Sequence, residues 1–173
     1  MESVLATALV TLLLIAAIAD LRSSRIPNWL TFPAMSFALA GHAYLGGLDG
    51  AFFSLAGLGT SLGLFIVIYL VGGIGAGDVK LMVAIGAFTG LYGVLSCAWL
   101  AIVVGGVYAI AAMCYQWGIA ATGQRLAYAA RGAVLTGGTA WTRELQLPFK
   151  LRYGLAIASG TLLFLLGLSP FEG

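Results

Sequence analysis

From Val79 to Gly118 the chain runs 40 residues with one charged side chain, Lys80. A straight helix of that length would rise about 60 Å, twice the roughly 30 Å of a bilayer's hydrocarbon core, so the stretch is too long for one crossing. The rest of the chain suits the same solvent. Its 173 residues include 8 Lys plus Arg and 6 Asp plus Glu, 8% in all, and 61% are apolar. Soluble domains carry about a quarter charged residues. That balance excludes a water-soluble domain, a disulfide scaffold, a nucleic-acid module and a pump with large lobes. At about 20 residues per crossing there is room for roughly six spans and for no separate soluble domain.

The first apolar run, residues 4–19, has basic residues after it rather than before it. It therefore reads as a span and not as a cleaved signal peptide. A second run covers 29–45 and is turned by Gly46-Gly-Leu-Asp-Gly50. A third covers 51–71 and ends in the glycine-rich segment Gly72-Gly-Ile-Gly-Ala-Gly-Asp78. Folding the long run at Gly90-Leu-Tyr-Gly93 gives a short fourth span, 79–90, and a fifth, 94–117. Residues 120–150 are too polar to cross, and 151–168 form the sixth span. The expectation is an all-α, polytopic, six-helix membrane protein with one transmembrane domain over 1–173. Residues 120–150 would form a cytoplasmic loop, in which Gln124 to Gly132 can lie flat on anionic headgroups.

Cytoplasmic loops collect Lys and Arg. Numbering the connections alternately puts all eight basic residues, Arg22, Arg25, Lys80, Arg125, Arg131, Arg143, Lys150 and Arg152, on one side. Glu2, Asp49 and Glu172 fall on the other, so both termini are expected outside the cytoplasm.

Glu144 has Arg143 beside it, which leaves Asp20 and Asp78 as acids at the cytoplasmic ends of apolar helices. Ionised groups there are costly and face a protein interior or a wet cavity. Asp78 can cap the first turn of the fourth span. Asp20, at a helix C-terminal end disfavoured by the dipole, can pair with Arg22 or Arg25. A joint reading uses both. Two carboxyl groups within hydrogen-bond reach resist double ionisation and share a proton. The ionised one can take a proton from water while the protonated one donates to a substrate carbonyl, which is aspartic peptidase chemistry. Gly72, Gly73, Gly75 and Gly77 would allow close approach of a substrate strand and positive φ.

Asp20-Leu-Arg-Ser-Ser-Arg-Ile26-Pro27-Asn28 after a first span, with Gly75-Ala-Gly77-Asp78-Val-Lys80-Leu81 before a fourth, resembles the two signature blocks of the type IV prepilin peptidases. These are membrane aspartic peptidases of the GxGD type. The resemblance implies that Asp20 and Asp78 are the catalytic pair and that Gly75 and Gly77 are the loop glycines. It also implies that Lys80 is the basic position after the second aspartate, and that Pro27 and Asn28 form the supporting turn into the second helix. Longer members carry a four-cysteine metal motif and methylate the new N-terminus. This chain lacks that motif and resembles the compact, peptidase-only branch serving tight-adherence (Flp-type) pili, so no methyltransferase activity, metal or cofactor is expected. Arg152-Tyr153-Gly154 resembles the start of the family's last helix, with Arg where Pro is common.

The implied function is removal of the leader from Flp-like prepilins at the cytoplasmic face of a bacterial inner membrane. The implied partners are the precursor and the bilayer, with no nucleic acid. Two alternatives stay open on the residues alone. One is another GxGD intramembrane protease of the signal-peptide-peptidase kind, although those carry a Tyr-Asp motif and here Ala19 precedes Asp20. The other is a small transporter or assembly factor in which the two aspartates bind an ion or a proton. His42, the one histidine, has no second ligand at metal spacing. Gly57, Gly59 and Gly63 in the third span, and Gly105-Gly106 in the fifth, suit close helix contact. Cys97 and Cys114 read as packing residues within apolar stretches.

Overall fold

Inside a bilayer a helix leaves no backbone group to the lipid. The computed structural model describes residues 3–23, 26–71, 74–136 and 153–171, and the regular elements among them are all helices. They are α1 (Ser3–Ser23), α2 (Asn28–Leu70), α3 (Ala76–Trp117), α4 (Ile119–Thr136) and α5 (Tyr153–Leu165). The first three are long and apolar enough to cross a membrane.

α2 and α3 are each interrupted by a glycine in the left-handed region, Gly47 (φ 60°) and Gly90 (φ 71°). Both lie in the glycine clusters read above as turns. Past Gly47 the chain doubles back. The His42 and Phe53 rings lie 5.0 Å apart, and a side chain at Gly50 would strike the His42 carbonyl. A continuous helix would hold these pairs about 12 Å or more apart along its axis.

The described chain forms two compact units, residues 1–104 with 152–173, and residues 105–151. In the first, residues 81–90 of α3 are all buried. This short limb is apolar all round, as a helix enclosed by others should be. α1 contributes a single stripe, Leu5, Leu9, Leu12, Leu13, Ala16 and Asp20, to the buried interior. The 48–70 limb of α2 lies against the buried limb so closely that Gly57 meets the backbone of Gly86 and Gly90. Gly59 and Gly63 face open space, so of that glycine pattern Gly57 alone serves packing among the described residues. Past Gly90 the chain runs back beside α5, with Gly160 against the Ala101 backbone and Ser96 3.4 Å from Ser169.

A left-handed residue cannot continue the helical ladder, so the Gly90 break frees carbonyls of the turn before it. In lipid these need donors from the protein. Ser54 Oγ donates to the Ala87 carbonyl at 2.8 Å. His42 Nε2 lies 3.0 Å from the Phe88 carbonyl, and because a carbonyl can only accept, that nitrogen carries the proton.

In the second unit, Gly118 (φ 81°) ends α3 and turns the chain into α4. Thr122 Oγ1 donates to the Gly118 carbonyl at 2.9 Å. The Arg125 guanidinium lies 4.1 Å from the centre of the Trp117 ring, a cation–π contact. The helical part of the expected 120–150 loop is thus α4, and residues 137–150 lie outside the described chain.

Candidate active site

Asp20 stands in the last turn of α1, at the end of the buried stripe. That register turns it inward, and it is 5% exposed, while Arg22 on the neighbouring face is exposed. Its Oδ2 is buried without a hydrogen-bond partner among the described residues. Gly154, in the first turn of α5, lies directly on this carboxylate, so that a Cβ there would fall 2.8 Å from Oδ2.

Pro27 has the extended conformation of an N-cap (φ −75°, ψ 145°), and its carbonyl accepts from Leu30 N–H at 3.2 Å. α2 therefore starts at Asn28 with its side chain on the first turn. Lys80 Nζ donates to Asn28 Oδ1 at 2.8 Å and lies 5.9 Å from the centre of the Phe32 ring. The start of α3 is thereby tied to the start of α2.

Gly75 is the N-cap of α3, its carbonyl accepting from Val79 N–H at 3.2 Å. Asp78 is the third helical residue, and its Oδ2 accepts from the Gly75 N–H at 3.3 Å. This is the returning half of a capping box. Asp78 therefore does serve the first turn, as expected, but by reaching back from inside the helix.

A Cβ on Gly77 would lie 3.2 Å from the backbone nitrogen of Ile26, so the second signature block packs directly on the turn of the first. One expectation is corrected here. Among the described residues, the glycines with positive φ are Gly47, Gly90, Gly118 and Gly167, and neither Gly75 nor Gly77 is among them. Close approach, to the Asp78 carboxylate and to Ile26, is what those two positions require. Gly72 and Gly73 lie outside the described residues, as do Arg25 and Arg152.

Residues 7–110, which include both blocks, match the model of the type IV leader peptidase family. That is more than half of the chain. It belongs to the type IV leader peptidase family. No curated protein matches the chain, and no solved structure does. Membership makes the protein a peptidase with prepilin-type substrates, and its apolar helices make it membrane-embedded.

For this leader peptidase, the structure ties Lys80 to Asn28, Gly77 to the turn before Pro27, and Gly75 to Asp78. It sets Asp20 against Gly154, a contact the sequence reading missed. Gly154 stood out only as part of the Arg152-Tyr153-Gly154 resemblance. The signal for its role was an acid and a glycine at the ends of two helices expected at the same membrane depth.

Proposed function

We propose that this leader peptidase is an aspartic endopeptidase whose catalytic pair is Asp20 and Asp78, and that it removes the leader of Flp-like prepilins at the cytoplasmic face of a bacterial inner membrane. The observation that carries the reading is the junction of the two blocks. Ile26 of the first block packs on Gly77 and Asn28 bonds to Lys80, so the first block is held against the start of the helix that bears Asp78.

One carboxylate takes a proton from a water molecule, whose oxygen attacks the scissile carbonyl carbon. The other carboxyl group protonates the carbonyl oxygen. The resulting diol collapses, the C–N bond breaks, and the departing amine takes up a proton returned by the pair. Lys80, hydrogen-bonded to Asn28, holds the start of the helix that carries Asp78 against the start of α2.

The breaks at Gly47 and Gly90, which divide α2 and α3 into two limbs each, support a count of six crossings. The placement of all eight basic residues on one side supports termini outside the cytoplasm. The test uses purified protein in detergent with a Flp-type precursor. Wild type should cut at the leader junction, and Asp20→Ala and Asp78→Ala should not, while both remain folded. Full cleavage by either variant sinks the mechanism. Transport of ions without cleavage would point instead to a carrier.

A further inference from the structure

We propose that Gly154 is a positioning residue for Asp20, and that the space left by its missing side chain is the seat of the Asp20 carboxylate. The inference rests on the reading of Asp20 as a catalytic residue. Three distances state the fit. A methyl carbon at Gly154 would lie 2.8 Å from Asp20 Oδ2, 3.0 Å from Cγ and 3.1 Å from Cβ. Gly154 and Asp20 are both buried, so neither can relieve the clash by turning into open solvent.

α5 cannot easily give way either. Six residues further on, Gly160 lies against the Ala101 backbone on α3, which wedges α5 between α1 and α3. The Asp20 side chain is the part free to move, and its Oδ2 has no hydrogen bond among the described residues to hold it. Packing against Gly154 is therefore what aims the carboxylate. A buried acceptor with unused lone pairs is costly in a resting protein. It is also what a group needs if it must later accept a proton from water.

Displacing a reacting group by about 1 Å can cost roughly a hundredfold in rate. The experiment measures precursor cleavage and thermal melting in detergent for Gly154→Ala, Asp20→Ala and the double variant. Gly154→Ala is expected to lower kcat by about 10- to 100-fold with KM within about twofold. A general packing defect would lower the active fraction without this split. Any loss of melting temperature caused by Gly154→Ala should shrink when Asp20 is already alanine, because the methyl then enters vacated space.

Wild-type kcat in Gly154→Ala overturns the inference while leaving the catalytic pair intact. So does an equal melting loss in the two backgrounds. If Gly154→Ala alone cannot be recovered folded, recovery of the double variant supports the proposal and failure of both overturns it. Cleavage by Asp20→Ala is a separate result, and it removes the underlying mechanism instead.

Discussion

At the Gly90 end of the buried limb of α3, the carbonyls freed by the broken helix meet Ser54 and His42; at the opposite end, Asp20 keeps a buried oxygen with no partner among the described residues. Both ends interrupt regular structure in the same unit of the fold. At the first, the Ala87 and Phe88 carbonyls have side-chain partners. Buried polar groups in native proteins nearly always find partners, and an exception calls for an explanation such as catalysis. The contrast separates a break that shapes the bundle from a site suited to chemistry.

The largest expected effect lies at the unmatched end. Asp20→Ala and Asp78→Ala are each expected to lower cleavage by about a thousandfold or more, since in the proposed mechanism each removes a proton-transfer group. Asp78→Asn separates the two roles of that residue. Its amide oxygen can still accept from Gly75 N–H, so the variant is as inactive as Asp78→Ala but melts higher, the cap being worth about 1 kcal/mol. Equal melting of the two would remove the capping role.

Stability should move in opposite directions at the two ends. Asp20→Ala removes a buried, unmatched carboxylate oxygen and is expected to raise the melting temperature. His42→Ala leaves the Phe88 carbonyl without its donor in an apolar setting and should destabilise by about 1–3 kcal/mol. The His42 variant should keep its kcat, because the ring acts on the fold and not on substrate. A stabilised His42→Ala protein would dissolve the comparison.

A smaller effect belongs to the tie between the blocks. Lys80→Met and Asn28→Ala each lose the 2.8 Å hydrogen bond and should lower kcat/KM by roughly tenfold, or about 1.4 kcal/mol. Because both remove the same contact, the double variant should lose little more than either single one. Additive losses would mean that the two residues act separately.

Much of this was legible in the chain because charge is so scarce. Asp20 and Asp78 stood out once the other acids had simple places. Gly46–Gly50 and Gly90–Gly93 marked the turns because an uninterrupted apolar helix could not fit the bilayer. The buried stripe of α1 was not legible. Val4, Leu14, Ile15 and Ile18 are as apolar as the buried residues and yet exposed, so in a membrane helix hydrophobic period does not say which way Asp20 points. His42 could not be placed either, since its partner is a backbone carbonyl that exists as an acceptor only after Gly90 breaks the helix. Gly154 takes its meaning from a residue more than a hundred positions away.

The finest test of the contrast is Gly77→Ala. Its new Cβ would lie 3.2 Å from the Ile26 nitrogen and 3.4 Å from the Ile26 Cβ, so the turn after Asp20 would have to retreat by a few tenths of an ångström. Replacing glycine by alanine inside a helix should by itself stabilise by about 0.5–1 kcal/mol. The two effects oppose in melting temperature but not in activity. The variant should therefore melt within about 2 °C of wild type while kcat falls roughly two- to fivefold, a much smaller displacement than a methyl at Gly154 would cause. An unchanged kcat would show that the turn can shift without moving either aspartate, and that the junction of the two blocks holds the fold rather than the catalytic geometry.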